Sequence, residues 1–336
     1  MKRTTIRDVA REAGVGLMTV SRVLNNSKGV TQKTERKVRA AILRVGYRPN
    51  EAARMLKGRA SRTIGLLVPY LDEFFGAYFH AVQEVAASEG YMTLVGASER
   101  SAAQELEQAR EMMSRSVAGL LVATSSGTSN PYAEAEFAKC PIVAFDRPLN
   151  RVGVDSVLAE NRNGAREAIE HLIRHGHKNI LCIGFDAKAY TVKERIAGYI
   201  DAMQNARLKP EVHGDLETAE SIRQLIANQW QAKRRPTAIF AAQYLSSVNT
   251  VTAVMQQGLQ IPKDIALIGF DDFNLARVLQ SPLTTVAQPV EEIGRRSAEM
   301  LFRRLRNEDE SKYTTARGTK VMFPTHLVIR NSCGCK

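Results

Sequence analysis

Apolar and polar positions follow one rhythm up to about residue 46 and another from residue 62 onward. In the first stretch the apolar residues recur at helical spacing: Ile6, Val9, Ala10 and Ala13, then Val20, Val23 and Leu24, then Val38, Ala41, Ile42 and Val45. Three short helices are predicted. Thr5 can cap the first, with Asp8 three residues on as its capping-box partner. Gly14 suits the turn, and Gly16 can cap the second helix, although Ser or Thr would cap better. Thr31 caps the third and Gly46 ends it. If Val20, Val23 and Leu24 face a core, then Leu17, Met18, Ser21 and Arg22 lie toward the other side. Two short helices joined by a tight turn are the form of a helix-turn-helix, whose second helix can enter a DNA major groove.

Between the two rhythms stands Tyr47-Arg-Pro49-Asn50-Glu-Ala-Ala-Arg-Met-Leu56-Lys-Gly58. Pro49 stops any helix before it. Asn50 can cap a new one and Gly58 can end it. This helix is well under the roughly 12–15 residues at which isolated helices become marginal. It is expected to be helical only when docked, as a hinge.

From Arg62 apolar runs alternate with helix-period stretches. The predicted strands are Thr63–Val68, Thr93–Gly96, Gly119–Ala123, Ile142–Phe145, Ile180–Gly184, Ala238–Ala241 and Ala266–Gly269. Predicted helices include Glu105–Ser116, Ala165–Arg174, Ser221–Trp230 and Ser247–Gln257. Such alternation means parallel sheets with helices on both faces. The stretch is too long for one comfortable open sheet, so two lobes are expected, with ligand in the cleft at the carboxyl ends of the strands. No internal repeat is legible in the sequence.

Charge divides the chain at the same place. Residues 1–60 hold 15 Lys/Arg against 4 Asp/Glu, a net of +11, whereas the whole 336-residue chain is +12. A basic head on a nearly neutral body is the footprint of a nucleic-acid-binding module joined to something else. No run approaches the roughly 18 apolar residues that span a bilayer, and MKRTTIRDVAREAG has no apolar signal-peptide core. The expectation is a cytoplasmic, nucleoid-associated protein with no membrane partner. Cys140 and Cys182 read as small buried hydrophobes, and Cys333-Gly-Cys335 as a tail. His171 and His175 are four apart on a helix, with His177 following, but no carboxylate or Cys ligands stand near them at set spacing. Neither a metal nor a cofactor is expected. Gly14-Val-Gly16 begins like a dinucleotide fingerprint but lacks its third glycine and a preceding strand. No catalytic motif is present, so an enzyme is not expected.

The chain resembles the lactose-repressor (LacI/GalR) family of bacterial regulators from end to end. The resemblance rests on Thr19-Val-Ser-Arg22, Gly46-Tyr-x-Pro-Asn50 and Arg62-Thr-Ile-Gly-Leu-Leu-Val-Pro69. It continues through Gly176-His177, Arg195-x-x-Gly198, Ile261-Pro262, Gly269-Phe-Asp-Asp272 and Pro282-Leu-Thr-Thr285. The fold it implies is α/β: an all-α helix-turn-helix head over 1–46, a hinge over 47–60, and a two-lobed, doubly wound parallel-sheet core over 61–336 like a periplasmic sugar-binding protein. The N-terminal lobe would take about 61–161 and 289–320, and the C-terminal lobe about 162–288 and 321–330. The chain would cross between lobes near 161, 289 and 321.

For the head, the resemblance implies that Arg22 reads a guanine through two hydrogen bonds. Leu17 and Met18 stand at base-reading positions of related repressors. Being apolar, they could touch a thymine methyl, exclude a polar edge, or pack within the chain. Ser21, Asn25 and Thr34 are placed to bind phosphates, with Thr5 and Asn50 completing the DNA-binding set. Leu56 would wedge into the minor groove and kink the duplex. Paired hinges need a homodimer, which predicts a near-palindromic operator.

For the core, the family's sugar- or purine-binding positions fall on Asp146, Arg195 and Asp271, with Gln288 and Gln243 beside them; Phe74 and Phe75 could cover a ligand face. Carboxylates and an Arg fork suit a polyol. The effector expected is a sugar or sugar derivative, and the function a ligand-controlled dimeric repressor of carbohydrate-related genes. Three departures leave alternatives open. The usual Asn-Asp pair is Gln243-Tyr244, the aromatic after Gly-Asp is Leu216, and position 29 is Gly. A purine-like or anionic corepressor, or loss of small-molecule control, fits the same architecture. A solute-binding protein and an enzyme on a doubly wound fold are the readings from other classes.

Overall fold

The computed structural model describes residues 4–24, 29–47, 61–125, 131–149, 153–231, 235–306 and 318–335. The expected hinge beyond Tyr47, with Asn50 and Leu56, and Asn25 in the head, lie outside the described residues. The chain divides into two compact units, residues 1–61 and 62–336.

The head consists of α1 (Ile6–Ala13), α2 (Leu17–Leu24) and α3 (Gln32–Val45). The Asp8 carboxylate accepts from the Thr5 N–H at 2.9 Å and from its hydroxyl at 2.7 Å, fixing the start of α1. Gly14 ends it with φ +59°, a left-handed turn that costs a residue with a Cβ more. The Gly16 carbonyl accepts from Thr19 and Val20, opening α2. The Thr31 hydroxyl caps α3 through the Thr34 N–H. The core is small: Val9, Ala10, Ala13, Val20, Val23, Val38 and Ala41 are buried.

The larger unit holds two six-stranded sheets. The first contains β1 (Thr63–Val68), β2 (Met92–Ala97), β3 (Leu120–Val122), β4 (Ile142–Phe145) and β5 (Asp155–Ala159), with helices α4 (Glu73–Ser88) and α5 (Ala102–Ser114) between strands. The chain then enters the second lobe with α6 (Asn161–Arg174), β6 (Ile180–Ile183), α7 (Tyr190–Asn205), β7 (Glu211–His213), α8 (Ala219–Trp230), β8 (Ala238–Ala241), α9 (Tyr244–Gln256), β9 (Ala266–Phe270), α10 (Asn274–Val278) and β10 (Thr284–Ala287). It returns for α11 (Val290–Leu305) and β11 (Lys320–Phe323), then crosses once more to β12 (His326–Val328).

The strand orders are β11-β5-β4-β3-β1-β2 and β12-β10-β9-β8-β6-β7. The two lobes therefore share one strand order, differing in the direction of the last strand, although no repeat is legible in the sequence. Every pairing is parallel except β10 with β12. Because β11 pairs with β5 as far as Phe323 opposite Ala159, the third crossing falls at Pro324–Thr325, a few residues after the expected 321. The C-terminal lobe also extends past 330, since Cys333 is buried in its core and Cys335 packs against it.

Candidate functional site

In the head, one face of α2 carries the core contacts, and the other holds its largest side chains out to solvent. Val20 and Val23 are buried, whereas Leu17 is 44% and Met18 71% exposed, and Arg22 is exposed. Two large apolar side chains held out to solvent beside an arginine are not explained by the head's own packing. Ser21 is half-buried. The Thr34 hydroxyl lies 2.9 Å from that of Thr31, so it serves the cap of α3. Gly29 has φ +101°, a backbone that favours glycine, which accounts for the missing side chain there.

In the core, a narrow cleft lies at the carboxyl ends of the strands of both lobes. It is bordered by Phe74, Phe75, Asp146, Arg195, Gln243, Asp271 and Gln288, so the structure brings all seven expected residues together. Phe75 is buried and packs edge-on against Phe145 and Tyr70, which makes it chiefly a core residue; Phe74 packs edge-on against it and is half-buried. Leu216 instead packs into the second lobe's core.

Asp146 and Asp271 occupy equivalent places in the two lobes. Each directly follows its strand, β4 or β9, in a left-handed conformation, φ +58° and +73°. Each donates its N–H to the neighbouring strand, to Val157 at 3.1 Å and Val286 at 2.9 Å. Aspartate tolerates this backbone better than most residues, and strained residues of this kind cluster at ligand sites.

Arg195, on α7, is almost entirely spoken for by the protein. Its Nε donates to Asn161 Oδ1 at 2.7 Å and its Nη1 to the Ala242 carbonyl at 3.0 Å. Its fork meets the Asp271 carboxylate at 3.2 and 3.4 Å, and its plane lies 3.7 Å from the Phe270 ring centre. Asp271 also accepts from Gln288 at 2.6 Å and from the Tyr244 N–H at 3.2 Å. These two charges hold each other and the cleft floor, so the Arg195 fork is already filled, while Asp271 still borders the cleft.

Sequence reasoning missed Asp72, Arg100 and Arg147, which also line the cleft. Arg147 pairs with Asp146 at 3.0 Å and donates to the Thr124 carbonyl at 3.3 Å. The buried Glu105 carboxylate accepts from the Thr124 hydroxyl at 2.8 Å and Tyr132 at 2.7 Å, so it fixes that loop end in turn. Arg100, from the first lobe, lies 4.5 Å from the Tyr70 ring centre and 5.1 Å from that of Phe185 in the second. The Glu73 carboxylate also bridges the lobes, accepting from the Asn274 N–H at 3.0 Å. The signal for Arg147 was its adjacency to Asp146; nothing local marked Arg100.

Burial pushes the Asp72 carboxyl up to about 6, helped by the negative Asp271 and Asp146, although the Phe75 N–H pulls the other way at 3.0 Å. The folded protein thus holds this proton more tightly than the unfolded chain. Its charge costs stability progressively as pH rises from about 4 to 6. Asp72→Asn keeps the cap and removes that cost. Its gain should be about 1 kcal/mol at pH 7, the partly solvated carboxylate being discounted, and near zero at pH 4. Urea midpoints of both proteins at the two pH values check this; an equal difference at both would contradict it.

Among the described residues, no helix is long and apolar enough to cross a membrane. Residues 5–50 match the family described as bacterial regulatory proteins, lacI family, and residues 169–333 match the periplasmic binding protein-like domain. The ribose operon repressor of Haemophilus influenzae is 33% identical over 336 residues, covering 98% of both chains. The HTH-type transcriptional repressor PurR of Aliivibrio fischeri is 32% identical, covering 92% of this chain and 94% of its own. The crystal structure of the lac repressor dimer bound to operator and the anti-inducer ONPF superposes with a TM-score of 0.85 at 26% identity, covering 99% of each chain. With both its parts matched in order and such relatives along nearly its whole length, the chain belongs to the lacI family of bacterial regulatory proteins.

Proposed function

We propose that this protein is a dimeric, sequence-specific transcriptional repressor whose operator affinity is set by a small polar molecule in the core cleft. The observation that supports it most is the exposure of Leu17, Met18 and Arg22 on one face of α2, away from the head's core. Arg22 reads a half-site guanine, Leu17 and Met18 meet its apolar neighbours, and Ser21 and Thr34 touch phosphates. Asn25, Asn50 and Leu56 complete the DNA-binding set. Selection of random duplex DNA on the purified chain should return a near-palindrome. Arg22→Ala should lose discrimination at one guanine per half-site, about 1–3 kcal/mol, while sequence-blind binding survives. Binding that is salt-sensitive but sequence-blind in the wild type would contradict this reading.

The effector is a sugar or sugar derivative, bound through Asp146, Asp271, Gln243 and Gln288 with Phe74 on one side. Arg195 acts by holding Asp271. An anionic derivative is the second reading, and Arg100 favours it: this guanidinium is exposed at the cleft and makes no ion pair among the described residues. Thermal shifts with neutral sugars against sugar acids and phosphates separate the two, because only the anionic class should lose its effect in Arg100→Ala. Effector binding changes the two lobes' arrangement and, through residues 47–60, the affinity for DNA. By linkage, operator must then change effector affinity by the same factor. Equal affinity in free and operator-bound protein would sink effector control.

A further inference from the structure

Away from the cleft, α6 and the C-terminal residues bring together a set of ligating atoms that the sequence separates by some 160 positions. His171 lies in the last turn of α6 and His175 caps that helix four residues on. The Cys335 Sγ sits 3.2 Å from Nε2 of each histidine. The three atoms lie within 4.8 Å of one another. The Cys333 Sγ is 3.1 Å from that of Cys335.

We propose that His171, His175 and Cys335 form a transition-metal site of the kind that takes Zn2+, with Cys333 the nearest further donor. His175 Nδ1 lies 2.8 Å from the His171 carbonyl, which can only accept, so Nδ1 carries the proton and Nε2 presents a lone pair to the sulfur. That backbone bond is the outer-shell contact by which metal-ligating histidines are oriented. Two imidazole nitrogens thus converge on one sulfur. Tetrahedral Zn2+, with bonds of about 2.3 Å to sulfur and 2.0–2.1 Å to nitrogen, sets sulfur and nitrogen ligands about 3.5 Å apart. The observed 3.2 Å spacings reach that with small side-chain shifts. Thiolate with imidazole also suits Zn2+ over the hard cations.

Such a site ties the C-terminal residues to α6, the helix whose first residue, Asn161, holds Arg195. Its test uses the full untagged chain, stripped with chelator and kept reduced with a phosphine. Titration with Co2+ should give one ion per chain and a thiolate-to-metal absorption band, bleached by one equivalent of Zn2+. Cys335→Ser, and His175→Ala at an exposed position, should each abolish the band and weaken Zn2+ binding by ~100-fold or more in chelator competition. Cys140→Ala, in the other lobe, should leave both unchanged. Binding undiminished in the two ligand variants, uptake without a thiolate band, or a reduced chain that takes up no ion would overturn the proposal. So would a Cys333–Cys335 disulfide that persists in the reduced preparation.

Discussion

Arg195→Ala is expected to destabilise the core by about 3–5 kcal/mol, lowering its thermal midpoint by about 10 °C. The size follows from what the guanidinium leaves behind. Arg195 is 3% exposed, and Asp271 would keep its charge in the cleft floor with only Gln288 and the Tyr244 N–H as donors. The Ala242 carbonyl and Asn161 Oδ1 would each lose a donor as well. Removing one member of a buried pair costs far more than the pair contributes net, because the partner's desolvation is no longer offset. Arg195→Met with Asp271→Asn, which tolerates the left-handed backbone there, should therefore recover much of the loss while leaving effector binding impaired. Arg195→Lys should fall between, since an ammonium cannot span both carboxylate oxygens, Asn161 and the carbonyl at once. Circular dichroism melts of the four proteins check the order. A loss under 1 kcal/mol in Arg195→Ala would mean that water compensates Asp271 and that the pair is not what holds the cleft floor.

Gly198→Ala should be nearly as damaging, with a sign opposite to helix propensity. In an exposed helix this change stabilises by about 1 kcal/mol. At Gly198 a Cβ would run into the Arg162 carbonyl and come within 3.0 Å of the Arg166 N. Those are backbone atoms of α6, so α6 and α7 would have to move apart as rigid bodies. Asn161 and Arg195 stand on these two helices and are joined at 2.7 Å, so the separation would reach the cleft. We expect a net loss of about 3 kcal/mol. Gly76→Ala is the matched control: it is helical, and nothing lies within 4 Å of its added Cβ. It should stabilise by about 0.5–1 kcal/mol. Denaturant midpoints that move the same way in both variants would show that the helix contact yields.

Apart from the half-exposed β2, the strands that were legible are buried on both faces, although β10, equally buried, was not read. β1, β4 and β8 appear as unbroken apolar runs because parallel strands under helices have no solvent side to mark. β5 escaped because Asp155 and Ser156 open it, and polar residues there suggest a loop. They are nonetheless buried, Asp155 being matched by Arg304 at 2.7 Å and the Thr319 N–H at 2.7 Å. Those partners come from far along the chain. β7 escaped because it is a three-residue edge strand, and β11 because it joins its lobe only after a return from the other. The cleft was legible through resemblance at Asp146, Arg195 and Asp271, yet the part played by Arg195 was not. An arginine in a sequence does not show whether its fork faces a ligand or is already filled. The histidine and cysteine cluster lay beyond local reading altogether, since spacing rules hold only for ligands close along the chain.

Neither lobe is contiguous. The first sheet receives β11 only from residues 320–323 and its packing helix α11 from 290–305, while the second receives β12 from 326–328. During synthesis, then, the strands of the first sheet emerge long before the pieces that cover β5 and the helix face beside it. A ribosome that has finished β10 carries a chain with nearly all its apolar strands and neither lobe complete. Folding must await the last few dozen residues, and the rate should bear the mark of contacts spanning more than 150 positions. Until release, the exposed edge of β5 is the place where a chaperone is most needed and where a stalled chain would pair with the wrong neighbour.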